Sequence, residues 1–196
     1  MMAPARSLWG FFGRVVLYLL VLTAVWTQVS RWASVPVGVL THRVLEVAAP
    51  DWVQSVRQSS GTIEAQTRLE VSVKGQRGDL VVDSQTARYG YGLPLLWALL
   101  LAAGGPGRWA RLFAAYALLL PAQVFSLSLD LLRSMVAAMP GGARALGIAQ
   151  WQLESIVLGY QLGSLIVPTL VPIMLWLWLD RGFVANVLLP KSLSIR

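Results

Sequence analysis

The chain has 196 residues, of which 56% are hydrophobic and 13% charged, and its mean hydropathy is +0.62. Soluble domains carry about 25% charged residues, and a soluble core of this size cannot bury apolar runs as long as these. The absence of cysteine excludes a disulfide scaffold, thiol catalysis and thiolate metal sites, and the net charge of +7 comes without a basic run or basic groove, so we expect no nucleic-acid partner.

The first apolar run, residues 9–29, is long enough to cross the hydrocarbon core, which takes about 20 residues. Arg6 and Arg14 near its start resemble the basic region of a signal peptide. The stretch at 26–29 has no small-residue cleavage site, so the sequence predicts a retained anchor over residues 1–30.

Residues 31–88 form the only sizeable polar region, and we predict an insertion outside the membrane. Apolar residues between Trp32 and Val47 recur at helical spacing, which predicts an amphipathic helix along the membrane surface or against the bundle. Alternation over 62–73, a turn at 74–78 and a returning strand at 79–83 predict a β-hairpin. Residues 53–57 are a candidate third strand, so the element is either a hairpin or a three-stranded sheet. The insertion thus holds the helix and a small antiparallel β-element.

Residues 89–196 contain three more predicted spans, at about 89–103, 109–129 and 156–179, and a cytoplasmic C-terminus. The first of these is short and ends at the glycine-rich turn 104–107. The predicted fold is therefore an all-α membrane protein with four transmembrane helices.

The basic residues predict the orientation, since loops rich in Lys and Arg stay in the cytoplasm. With the N-terminus inside, most of the Lys and Arg residues in the termini and short loops fall on the cytoplasmic side. They include Arg108, Arg111, Arg181 and Lys191. We expect a multi-pass membrane protein with both termini cytoplasmic, an insertion that faces outward and membrane lipids as partners.

Candidate chemistry is sparse. The single histidine, His42, has no nearby nucleophile and orienting carboxylate, and no Cys or paired carboxylates suggest a metal. We therefore expect no catalytic residue, cofactor or metal, and a protein that is not an enzyme.

One polar group remains at the predicted outer ends of the last two spans. Asp130 and Arg133 share a helix face and are spaced to pair, and Glu154 and Gln161 lie on the following span. Ionisable groups near hydrocarbon are functional or paired, so this group is either a polar site or a clamp between two helices.

The last span contains a predicted helix-packing face. Gly159 and Gly163 are four residues apart, which permits close helix approach, and Pro168 and Pro172 weaken the backbone ladder beyond them. Such a segment is either a packed kink or a broken helix that lines a substrate path.

Two stretches resemble a known family: YGYGLPLL at 89–96 and LGYQLGSLIVPTL at 158–170. Together with the layout of an anchor, an outer loop and three further spans, they are similar to the small membrane proteins associated with exosortase H. Exosortases are membrane transpeptidases that use a Cys–Arg–His set, and a chain without cysteine cannot be that enzyme. The resemblance implies an accessory or scaffold subunit beside an exosortase, which sorts secreted proteins with C-terminal tripartite anchors. In that setting we expect the protein in the inner membrane of a Gram-negative bacterium, with its insertion in the periplasm. The alternative, which rests on the Pro-broken fourth helix, is a small transport or lipid-handling component. The residues of the first motif are Tyr89, Gly90, Tyr91, Gly92 and Pro94.

Overall fold

A computed structural model describes residues 8–59, 61–73 and 76–185. Two helices open the described chain, three strands follow, and helices make up the rest. The helices and strands are α1 (Leu8–Ala33), α2 (Val35–Ala48), β1 (Val53–Ser59), β2 (Thr62–Val73), β3 (Gln76–Gln85), α3 (Ala87–Gly90), α4 (Gly92–Ala103), α5 (Arg108–Ala138), α6 (Gly142–Ala145), α7 (Gln150–Gln161), a π-helical turn (Leu162–Ile166), α8 (Val167–Leu179) and α9 (Arg181–Phe183).

Within the described residues, three helical stretches are long and apolar enough to cross a membrane: Trp9–Ala33, Arg108–Ala138 and Gln150–Leu179. The prediction of four spans is not confirmed, because the second predicted span forms α4, which has only 12 residues. At 1.5 Å per residue α4 is about 18 Å long, against a hydrocarbon core of about 30 Å. Most of its residues are buried, and it packs against α1, α8 and α5. Its apolar sequence therefore reflects burial among helices.

The predicted amphipathic helix forms as α2, with Pro36 in its first turn. Its buried face, which includes Val37, Thr41 and Leu45, packs against α5, so α2 lies against the bundle. The β-element is a three-stranded antiparallel sheet in the order β1-β2-β3, one of the two forms predicted. Its central strand buries alternate residues, as the pattern indicated: Ile63, Ala65 and Thr67.

Helix α5 joins two hydrophobic cores. Near its start, Leu112 and Leu119 pack with residues of α1, α4 and α8. Further along, Leu127 and Leu131 pack with residues of α2 and the sheet, such as Ile63. The insertion therefore rests on one half of a long apolar helix.

The start of α1 and the end of α8 lie at the same end of the bundle. The Phe11 ring stacks on Trp176 with 5.7 Å between centroids and lies 5.0 Å from Phe183. Helix α4 brings the chain back toward this end, where the indole N–H of Trp97 donates to the Leu112 carbonyl of α5 over 3.1 Å. We call this the terminal end, and the opposite end, which carries the β-strands, the sheet end.

Candidate functional site

The first motif and the last span meet at Gly92. A Cβ atom at this position would lie 2.6 Å from the Pro168 carbonyl oxygen and 2.8 Å from Cγ of Pro172. Pro172 has no N–H to donate to the Pro168 carbonyl, which is four residues earlier in α8. The Pro168 carbonyl therefore lacks its usual donor within α8, and the Cα of Gly92, which carries no side chain, lies close to it.

The π-helical turn accommodates the other proline. Pro168 cannot donate to the carbonyl of Ser164, and the backbone widens over Leu162–Ile166, where the Val167 N–H bonds to the Leu162 carbonyl. The hydroxyl of Thr169 lies 3.2 Å from the Leu165 carbonyl oxygen and 3.1 Å from that of Ile166. The Thr169 hydroxyl is thereby satisfied within its own helix.

The predicted helix-packing face contacts two neighbouring helices of the same chain. A Cβ at Gly159 would lie 2.7 Å from a methyl group of Leu129, and one at Gly163 would lie 3.0 Å from the Cα of Ser126. The two glycines thus approach α5, whereas Pro168 and Pro172 meet α4 at Gly92.

The remaining motif residues connect α3 to three other elements. Gly90 contacts the indole ring of Trp26 on α1. Tyr89 is 2% exposed, and its hydroxyl faces the Asp130 carboxylate without forming a hydrogen bond of good geometry. Pro94 is buried in α4, and Tyr91 is exposed.

A polar cluster lies at the sheet end, around Asp130. This carboxylate is 7% exposed and accepts a hydrogen bond of 2.5 Å from the hydroxyl of Ser84 on β3. Arg133 places its guanidinium 4.3 Å from the ring centroid of Tyr160, a cation–π contact between α5 and α7. Asp130 and Arg133 are neighbours on α5, but each contacts a different element.

The other two residues of the predicted polar group lie outside this cluster. Glu154 is exposed and accepts a hydrogen bond of 2.9 Å from the Gln150 amide, and Gln161 is also exposed. Sequence reasoning missed the contributions of Ser84 and Tyr160. Ser84 is 46 residues from Asp130, and no local spacing connects them.

A second polar cluster, at the terminal end, was also missed. Arg111 forms a salt bridge with Asp180 and donates to the Gly104 carbonyl over 3.3 Å, so it joins α4, α5 and the end of α8. Asp180 is 6% exposed. An acidic residue directly after the last apolar run was the available signal. Arg111 and Asp130 are separated along α5 by a rise of roughly 28 Å, close to the thickness of the hydrocarbon core of about 30 Å.

Neither cluster has the composition of a metal site. No group of three or more His, Cys, Asp or Glu side chains comes together among the described residues. His42 contacts Glu46 on the same helix, with 3.2 Å between Nε2 and Oε1.

Long apolar helices with a polar cluster at each end, and a small sheet resting on one of them, define a helical membrane protein. The chain belongs to the family of exosortase H-associated membrane proteins, whose family model matches residues 5–183. No curated protein and no solved structure matches the chain.

Proposed function

We propose that this protein is an accessory or scaffold subunit of an exosortase-type protein-sorting system, and that it acts by protein–protein contacts in the inner membrane. The observation that carries the proposal is family membership over residues 5–183, a range that includes both motifs. The packing of those motifs supports it. Gly92 of the first motif lies against Pro168 of the second motif and against Pro172, which follows the second motif by two residues. Both motifs thus build a helix junction.

We also propose that the protein is not an enzyme. The chain has no cysteine, so it lacks the thiol nucleophile of exosortases. In the polar cluster, Asp130 accepts from Ser84 and Arg133 lies over Tyr160, so these side chains join α5 to β3 and to α7. A positioned base and nucleophile are the usual signature of covalent catalysis, and this cluster instead has the contacts of a clamp.

The packing of the last span favours a kink over a transport path. A substrate path along a broken helix needs open space beside the break. Here Gly92 lies against the two prolines, and Gly163 lies against the Ser126 backbone.

We further propose that α4 makes the fourth crossing and that both termini are cytoplasmic. Arg14, Arg108, Arg111 and Arg181 all belong to chain segments that meet at the terminal end, as expected for the cytoplasmic side. Helix α4 returns the chain toward that end. A helix as short as α4 can make this crossing because α1, α5 and α8 surround it. The sheet end, with the strands between residues 53 and 85, then faces the periplasm, and α2 lies beside α5 at the level of the membrane.

Deletion of the gene in a bacterium that also encodes the exosortase tests this function. We expect uncleaved precursors of proteins with tripartite anchors to accumulate, as measured by immunoblot, and the wild-type chain to restore their cleavage. Cleavage that is unaffected by the deletion would contradict the accessory role.

Complementation of the same strain tests the non-enzymatic part of the proposal. We expect Asp130→Asn and Arg133→Gln, at wild-type protein level, to restore cleavage. Loss of cleavage with either variant at unchanged protein and exosortase levels would instead indicate a chemical role for the polar cluster.

A further inference from the structure

An open apolar groove of about 780 Å³ runs between α2 and α5. Each wall includes a row of residues four apart: Leu40, Val44 and Ala48 on α2, and Ala117, Pro121 and Phe125 on α5. The rest of the lining is Arg43 and Val47 on α2, and Leu120 and Val124 on α5. Rows of this spacing form the ridges between which a ridge of another helix packs, with axes 8–10 Å apart. Both rows span two helical turns, so another helix can pack between them.

The α5 wall also contains a backbone acceptor without its usual donor. Pro121 has no N–H to give to the Ala117 carbonyl, and both residues line the groove and are exposed. In hydrocarbon an unpaired carbonyl is costly, and neighbouring helices commonly supply the missing donor. An acyl chain has no donor, whereas a helix with a hydroxyl or indole side chain has one.

Charges lie along the α2 wall. The guanidinium of Arg43 is 3.0 Å from the Glu46 carboxylate, and its side chain is 74% exposed. The same carboxylate contacts His42. A partner with polar side chains near Arg43 and Glu46 can pair with them. The apolar row from Leu40 to Ala48 runs beside these charges.

We propose that the groove between α2 and α5 is the docking surface for a transmembrane helix of the exosortase, a helix that carries a side-chain donor facing the Ala117 carbonyl. This inference rests on the proposed function and names the surface that serves it. The contacts within the chain support the choice, because the small-residue face at Gly159 and Gly163 is already packed against α5, whereas this groove is open.

Filling the groove tests the proposal with the exosortase co-expressed and the complex captured in mild detergent. Ala117→Trp places an indole in the groove, and Leu118→Trp is the matched control, because Leu118 is the next residue, is exposed and does not line the groove. We expect Ala117→Trp to lower the captured exosortase at least tenfold, and Leu118→Trp to leave it within twofold of wild type, with both variants monodisperse. Equal capture by both variants would overturn the proposal while leaving the proposed function intact, and failure of the wild-type chain to capture exosortase would reject the function itself.

A photoreactive benzoylphenylalanine in place of Val44 identifies the occupant directly. The proposal predicts a crosslink to a peptide from an apolar spanning segment of the exosortase. Crosslinks only to phospholipid, or to a second copy of this chain, would overturn it.

Discussion

The contact between Gly92 and α8 makes a quantitative prediction for Gly92→Ala. The added methyl carbon would lie 2.6 Å from the Pro168 carbonyl oxygen and 2.8 Å from Cγ of Pro172. Relaxed C···O contacts are about 3.3–3.6 Å, so α4 and α8 must separate by close to 1 Å. Neither neighbour is the free end of a flexible side chain, so local adjustment cannot relieve the overlap.

Overpacking of this kind costs about 1–3 kcal/mol. Gly92 is the first residue of α4, where the higher helix propensity of alanine offsets little. By the scaling for chains of this length, the midpoint of thermal unfolding should fall by roughly 2–12 °C.

The assay is thermal unfolding of the purified protein in mild detergent, with Gly13→Ala as the control. A Cβ at Gly13, inside α1, meets nothing within 4 Å, so that variant should be neutral or gain up to about 1 kcal/mol. A Gly92→Ala protein as stable as wild type would refute the close contact between the two motifs.

Three further predictions follow from the other contacts. Arg111→Ala should lower the free energy of unfolding by about 3–5 kcal/mol, because it leaves the buried Asp180 carboxylate unpaired; the double variant Arg111→Met, Asp180→Leu should lose less, and equal losses would argue against a buried pair. Gly163→Ala should destabilise the protein more than Gly159→Ala in the same assay, since its new methyl meets the Ser126 backbone, whereas the methyl at 159 meets the movable end of Leu129; the reverse order would contradict the packing described. Because the natural chain has no cysteine, single cysteines report topology in spheroplasts: Asp79→Cys on β3 should react with an impermeant maleimide from outside, and Gly182→Cys should react only after permeabilisation, so early labelling of position 182 would contradict the proposed orientation.

Hydropathy predicted the long helices because a span of about 20 apolar residues is a local property of the chain. The same criterion is not confirmed at α4, which has only 12 residues and buries most of its apolar side chains among other helices. Length was the available warning, since the glycines at 104–107 end the run after only 12 helical residues. The alternation over 62–73 predicted the sheet for an equally local reason: alternate residues of a strand point to one face.

The candidate site was predictable only in part, since its contacts join distant segments. Helical spacing placed Asp130 and Arg133 on one face of α5, but their partners arrive from β3 and α7. Likewise the residues of both motifs were visible in the sequence, while the contact of Gly92 with Pro168 depends on how α4 and α8 pack.

The central claim, an accessory role beside an exosortase, is tested most directly by the composition of the complex. The full chain and an exosortase H are co-expressed, and the chain is captured through an affinity tag in mild detergent. The ratio of the two proteins is then measured by quantitative mass spectrometry. The account predicts that the exosortase is retained at a fixed ratio through size-exclusion chromatography. Repeated isolation of the chain without exosortase, under conditions in which both proteins are present and folded in the membrane, would contradict it.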